Sequence, residues 1–225
     1  MNNKQKRERN AQAAMHALAH WGHLTARQLS HFVWPNSDAD SALNQAYVLV
    51  RHLVQGGYLL ERIRPDGLKA YVLTRHGAAV YNVETTSLYG AAGYDLGLNL
   101  AYGHDDLVEY ALHLQQQEWK VVGPHAIRHG HPDLEVFSAK VQAVLKKRVD
   151  MLVEDPDGES HAVLSLRRFD TNSRKRFDAV DAYLPVLMVC SPALERQFLK
   201  YRKKRDEEAK EKEVIILPPI IPRAM

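Results

Sequence analysis

Asp150 opens the apolar run "RVDMLVED", and a second run, "HAVLSLRRF", follows after a turn that contains Pro156, Asp157 and Gly158. The alternating pattern predicts two neighbouring strands. A metal-dependent nuclease needs an acid that opens one strand, and then an acid and a lysine on the next strand, to hold Mg²⁺ and orient the attacking water. Asp150 fills the first position. The segment therefore has the outline of a phosphodiester-cleaving site.

The remaining positions of that outline hold the wrong residue types. Strand alternation places Ser165 where the second carboxylate is needed and Arg167 where the lysine is needed. A serine hydroxyl is a poor Mg²⁺ ligand, and a guanidinium that is always protonated replaces a lysine badly. The acids at residues 154–157 belong to the far end or the turn, and Glu109 supplies at most one carboxylate. We therefore predict no catalytic residue here.

A second candidate for metal chemistry is the stretch "GPHAIRHGHPDLE". It sets His125, His129 and His131 close together with Asp133 nearby, and three imidazoles are able to bind zinc. Its glycines and prolines predict a loop without fixed ligand geometry, and it contains no cysteine. We expect surface histidines, with neither a resident metal nor a cofactor.

The composition is that of a globular protein. The chain has 225 residues, 45% of them hydrophobic, and a single cysteine, Cys190, inside an apolar run. This length allows one large or two small domains. A lone buried thiol, a polar N-terminus and the lack of a long apolar segment predict a cytoplasmic protein with no membrane contact.

The first 85 residues carry the positive charge and three predicted helices. They hold 10 Lys and Arg against 6 Asp and Glu, whereas residues 86–200 hold 13 against 16. Helical periodicity predicts one helix from Lys4 to about Trp21 and a second that Thr25 caps. A third helix, within "NSDADSALNQAYVLVRHLVQGG", is capped by Ser37 or Asp38 and has a predicted buried stripe of Leu43, Ala46, Val50 and Leu53.

After the third helix the period changes from 3.6 to 2. The stretch "YLLERIRPDGLKAYVLT" predicts a hairpin with a Pro65-Asp66-Gly67 tip, and a short helix then starts from Thr74. Three helices followed by a basic-tipped hairpin, with the phrase "GGYLLERIR…YVLTRHG", resemble a winged-helix domain over about residues 8–82. The resemblance implies that the third helix enters the major groove of DNA and that the hairpin lies along the backbone or minor groove.

The side chains on those two elements suit that use. The amides of Asn44 and Gln45 are able to read adenine edges, Arg51 reads guanine or binds phosphate, and the hairpin cations hold phosphates. The expected DNA-binding residues are Arg27, Ser41, Asn44, Gln45, Arg51, His52, Arg62, Arg64 and Lys69. Two alternatives remain: these residues form an ordinary solvated face, or the domain is a protein-interaction or dimerisation module.

The rest of the chain predicts a small α/β sandwich, which makes the whole protein an α/β (α+β) chain. We expect a winged-helix domain at 1–85, a linker at 86–99, a nuclease-like domain at 100–200, and a charged helix with an apolar tail at 201–225. This order, with "H…LVEYAL", "RVDMLVEDPDG" and "PVLMVCSPALERQ", resembles the plasmid replication-relaxation family. Its members join an N-terminal winged helix to a domain shaped like the PD-(D/E)xK nucleases.

That resemblance would span residues 8–200. It implies a DNA-associated function on a mobile element, namely transcriptional control, replication control or an accessory role at a transfer origin. It does not imply cleavage by itself. The basic cluster at residues 167–176 touches DNA or an acidic partner, or is merely a solvated helix start. The apolar tail packs on a domain or binds a second copy of the chain.

We therefore expect a sequence-specific double-stranded DNA-binding protein that forms a homodimer and works with other plasmid or mobile-element proteins. Two alternatives come from other classes: a Mg²⁺-dependent DNA nuclease that uses Asp150, and a protein-interaction scaffold that does not bind nucleic acid.

Overall fold

A computed structural model describes residues 2–64, 66–83, 104–129, 134–135, 137–138, 141, 149–166 and 168–206. The chain divides into two compact units: Met1–His104 with Pro124–Pro132, and Asp105–Gly123 with Asp133–Met225. Each unit combines helices with a small sheet, so the predicted α+β class is confirmed. The predicted linker at 86–99 and the tail beyond Asp206 lie outside the described residues.

The first unit begins with three helices: α1 (Asn3–Trp21), α2 (Ala26–Val33) and α3 (Ala39–Gln55). Thr25 caps α2, and its capping box with Gln28 satisfies backbone groups at the helix start. Asp38 caps α3 by accepting a hydrogen bond from the Ser41 amide at 3.0 Å. The buried residues of α3 are Ala42, Ala46, Val50 and Leu53. The predicted stripe is thus correct except that Ala42 is buried and Leu43 is half-buried.

A three-stranded antiparallel sheet completes this part of the fold. Its strands β1 (His23–Leu24), β2 (Leu59–Ile63) and β3 (Lys69–Leu73) lie in the order β1-β3-β2. Strands β2 and β3 form the predicted hairpin, with Leu59 opposite Leu73. Helix α4 (Arg75–Val80) follows directly.

Two later pieces of the chain belong to the first unit. His104, the first residue of α5 (His104–Gln116), stacks on the ring of His23 at 3.9 Å, and its Nε2 lies 3.1 Å from the Trp21 carbonyl oxygen. Helix α6 (Pro124–His129) packs against α1. The loop predicted for "GPHAIRHGHPDLE" is therefore wrong over residues 124–129, because proline suits the first turn of a helix.

The end of α3 is joined to the hairpin and to α4 at Tyr58. The Thr74 hydroxyl lies 2.8 Å from the Gly57 carbonyl oxygen and 2.9 Å from that of Tyr58, and it accepts a hydrogen bond from the Gly77 amide at 2.9 Å. A Cβ added at Gly77 would lie 2.2 Å from the Tyr58 carbonyl oxygen. The Tyr58 ring stacks on His76 at 5.0 Å. This Tyr58 junction fixes the hairpin relative to α3.

The second unit contains a four-stranded sheet in the order β4-β5-β6-β7, where β6 and β7 run parallel and the other neighbours run antiparallel. Its elements are α5, β4 (Lys120–Val122), β5 (Met151–Glu154), β6 (Ser160–Leu166), α7 (Thr171–Asp181), β7 (Val186–Cys190) and α8 (Pro192–Asp206). The two strands and the turn predicted from Asp150 onward are therefore confirmed.

The core of the second unit lies on the two central strands and under the last two helices. Residues 151–153 and 162–164 have no exposed surface. Phe177 of α7 and Phe198 of α8 pack edge to face with ring centroids 4.6 Å apart. This contact joins the two helices that follow the sheet. In the described part of the chain, no helix combines the length and the apolar character needed to cross a membrane.

Gly77→Ala should destabilise the first unit by about 2 kcal/mol, because the new Cβ meets backbone that cannot move aside cheaply. Thermal denaturation followed by circular dichroism measures the loss. Gly57→Ala is the control: its φ is +70° and a Cβ there meets nothing within 4 Å, so it costs only the strain of left-handed backbone, about 1 kcal/mol. A smaller loss for Gly77→Ala than for Gly57→Ala would contradict the close approach.

Candidate nucleic-acid interface

One side of α3 carries the predicted recognition residues. Ser41, Asn44, Gln45, Arg51 and His52 are all exposed, and they recur at the three- and four-residue steps that align side chains on a helix. The opposite side of the helix is buried. The structure thus brings these five side chains onto one surface, the α3 face.

Several side chains of this face are available to a ligand. Within the described part of the chain, Asn44, Arg51 and His52 make no side-chain hydrogen bond or ion pair. Gln45 has one long contact, in which its Nε2 lies 3.4 Å from the Ser41 hydroxyl. Amide, guanidinium and imidazole groups in this state are able to donate to base edges or phosphates without breaking an internal contact.

The α3 face also has an apolar part. Val48 lies in the middle of the stripe and is 68% exposed, and Tyr47 beside it is 51% exposed. A valine at this position is able to contact a thymine methyl group, which the polar residues around it cannot do as well. The helical period places Val48 on the same side of α3 as Asn44 and His52, whereas the exposure of Tyr47 was not predicted.

The hairpin presents less positive charge than its sequence suggests. The Arg64 side chain, a predicted phosphate ligand, is 2% exposed and lies 2.6 Å from the Asp66 carboxylate. Lys69 is 61% exposed but pairs with Glu61 at 2.9 Å; this hydrogen bond and charge raise the lysine pKa. Arg62 is half-buried and donates to the Glu61 carbonyl oxygen at 3.0 Å.

The end of the hairpin is apolar as a result. Ile63 is 62% exposed and Leu68 is 54% exposed, whereas the cations beside them are paired or partly covered. Strand alternation places Ile63 on the same side of β2 as the buried Leu59, so that pattern does not predict its exposure at the end of the hairpin. Arg27, the remaining predicted contact, is exposed on α2.

In the second unit, Asp150 and Ser165 come together as the strand alternation predicted. One carboxylate oxygen of Asp150 accepts a hydrogen bond from the Ser165 amide at 2.7 Å and lies 2.7 Å from a guanidinium nitrogen of Arg176. The Arg176 guanidinium already places a positive charge beside this carboxylate. A Mg²⁺ ion bound to the same oxygen would be repelled by that charge. Asp150 acts here as an anchor between β6 and α7.

The other positions of the nuclease outline do not complete a site among the described residues. Arg167 lies outside them. Glu109 sits exposed on α5, where partial burial and the neighbouring carboxylates of Asp106 and Asp105 raise its pKa. The thiol of Cys190 is half-buried, and burial followed by the charge of Glu195 raises its pKa, which disfavours a reactive thiolate.

One group of described residues has the composition of a metal site. Asp155, Glu159 and His161, at the β5–β6 turn, offer ligand atoms that all lie within 4.8 Å of one another. The hairpin uses these atoms itself: Asp155 accepts from the Glu159 amide at 2.8 Å and contacts His161 Nε2 at 3.1 Å. Partial burial acts to raise the pKa of Asp155, but these hydrogen bonds outweigh it and hold the pKa low. The contacts of the turn account for the cluster.

The predicted histidine loop is described only in part. His125 lies buried at the start of α6, which corrects the expectation of a surface residue there. His131 and Asp133 lie outside the described residues, as does the side chain of His129.

No family model, curated protein or solved structure matches this chain. The resemblance to the plasmid replication-relaxation family therefore stays a prediction.

Asp150→Ala should lower the free energy of unfolding by about 2 kcal/mol, because the Ser165 amide and Arg176 both lose a charged acceptor. Urea denaturation measures the change. Asp157→Ala removes the same charge from the exposed turn and should have little effect. Equal stabilities for the two variants would show that Asp150 does not anchor α7.

Proposed function

We propose that this chain is a sequence-specific double-stranded DNA-binding protein whose first unit is a winged helix that reads the major groove with α3. The observation that carries the proposal is the α3 face, which presents amide, guanidinium, imidazole and methyl groups together in accessible positions. Such a mixture matches the donors, acceptors and methyl groups that base pairs expose in the major groove.

The surroundings of α3 support the same reading. Helix α2 packs closely on α3, and a short connection with the Asp38 cap joins them. In helix-turn-helix proteins the first helix of such a pair crosses the DNA backbone while the second enters the groove. Arg27 on α2 is placed to contact phosphate in that arrangement, and residues 1–85 carry a net charge of +4.

The hairpin has a modified role in this proposal. Its strongest expected phosphate ligand, Arg64, is used internally by Asp66. The apolar side chains of Ile63 and Leu68 remain at its end, and apolar side chains contact the sugar edges and base steps of the minor groove. Arg62 and Lys69 add weaker phosphate contacts, since both already interact with Glu61.

We infer that the second unit does not cleave DNA. The position of Arg176 on Asp150 supports this inference, because the only predicted metal-binding acid of the outline already has a cationic partner. The biological role that fits best is that of a regulator, or of a replication or mobilisation accessory factor, on a plasmid or similar element. A second copy of the chain would match two half-sites in the DNA.

Selection from a random pool of duplex DNA tests the proposal. The parent should recover a preferred sequence, and Arg51→Ala or Asn44→Ala should each weaken binding to that sequence by about 1–3 kcal/mol and relax the preference at one position. Fluorescence anisotropy with the selected duplex gives the dissociation constants. Arg128→Ala, which removes an exposed cation from α6 in the same unit, is the control and should retain the preference.

Two results would contradict the proposal. Recovery of no preferred sequence would favour a protein-interaction scaffold over a DNA reader. If the parent nicks supercoiled DNA with Mg²⁺ or Mn²⁺ and Asp150→Asn does not, the chain is a metal-dependent nuclease that uses Asp150.

A further inference from the structure

The second unit has an exposed basic surface on α7 and α8 that the proposed function does not use. Its members are exposed residues of α7 and α8, two helices that meet where Arg174 lies over the Tyr201 ring. They are Arg174, Lys175, Lys200 and Lys204, which together form the α7–α8 basic surface.

Arg174 is held in place by aromatic rings. Its guanidinium carbon lies 4.7 Å from the ring centre of Phe169 and 5.3 Å from that of Tyr201. Tyr201 is itself fixed, because its hydroxyl donates to Asp178 at 2.6 Å. A guanidinium supported on two rings loses less side-chain entropy when it binds, and its planar donors suit the oxygens of a phosphate.

The lysines of the surface lie close in sequence to Arg174 and Tyr201. Lys200 and Lys204 lie one residue before and three residues after Tyr201 on α8, and Lys175 follows Arg174 on α7. All three are exposed, and within the described residues none of the four cations forms an ion pair. Their charge is therefore available to a partner.

The nearby acids do not cancel this charge. Residues 168–204 contain nine Lys and Arg against four Asp and Glu. Asp170 caps α7 through the Ser173 amide and pairs with Arg168 at 2.7 Å, and Asp181 is buried. Asp178 accepts from Tyr201, and Glu195 is half-buried. The cations thus face solvent, while the acids are engaged by the fold or partly covered.

We propose that the α7–α8 basic surface binds the phosphate backbone of duplex DNA without reading its sequence. The rings of Phe169 and Tyr201 already have Arg174 over them, so the surface offers point charges and a guanidinium fork, which recognise phosphates. The proposed function of α3 supplies the reason to choose DNA as the polyanion. The surface lies on the other unit, so its contribution can be measured separately.

The salt dependence of binding to a random-sequence duplex tests this proposal. Removal of two phosphate contacts lowers the slope of log affinity against log salt concentration by about 1.8 in magnitude. We expect this decrease for the double variant Arg174→Ala with Lys204→Ala. A second double variant, Lys175→Ala with Lys204→Ala, should show the same decrease. It keeps Arg174 and its ring contacts, so it tests the proposal even if the first variant does not fold. The sequence preference found by selection should stay unchanged in both.

The control is Lys120→Ala with Arg128→Ala, which removes the same net charge from exposed positions outside α7 and α8. An equal decrease in the control, or an unchanged slope in the second double variant, would overturn the proposal. The parent and the double variants are also mixed with vesicles of phosphatidylglycerol and phosphatidylcholine. If the variants lose vesicle binding while their duplex binding is unchanged, the surface binds a membrane instead. The two proposals are distinguishable. If Arg51→Ala keeps the full sequence preference but the α7–α8 double variants show the smaller salt slope, the proposed role of α3 is wrong and the proposal for the basic surface is supported.

Discussion

The Tyr58 junction is the contact on which the geometry of the first unit depends. Thr74 bonds to the carbonyl oxygens of Gly57 and Tyr58, and Gly77 lets α4 approach the same backbone. The end of α3, the start of β2 and the start of α4 are thereby joined within a few ångströms. The junction therefore holds the hairpin at a fixed position relative to α3.

Pairing inside the fold decides which cations are available to a binding partner. On the hairpin, Lys69 pairs with Glu61 on the opposite strand, and the buried Arg64 pairs with Asp66. On α3, Arg51 has no such partner among the described residues. In the second unit, Arg176 is engaged by Asp150, whereas Arg174, two residues earlier, rests on aromatic rings and stays exposed. A count of charges along the sequence does not separate these cases.

Much of this structure follows from local sequence patterns. The period of α3, the Thr25 cap and the strand alternation that sets Ser165 beside Asp150 all depend on residues close in sequence or in adjacent strands. Such patterns report backbone geometry directly. The α3 face was predicted for this reason.

Other features depend on contacts that periodicity does not describe. Arg176 reaches Asp150 from a helix beyond the next strand, and the burial of Arg64 depends on a side chain that folds back within its own turn. The aromatic support of Arg174 comes from α8, which follows a further strand. The contacts of Arg176 with Asp150 and of Arg174 with Tyr201 join separate elements, whereas that of Arg64 lies within one turn; periodicity predicts none of them.

The most direct test of the central claim is photocrosslinking from α3 itself. The photoreactive residue p-benzoylphenylalanine replaces Val48, in the middle of the α3 face, and in a matched protein it replaces Val80, which is 53% exposed on α4. Irradiation with a labelled duplex should give a covalent adduct from position 48 and little from position 80. Binding without an adduct from position 48, or equal adducts from both positions, would contradict the claim that α3 enters the groove.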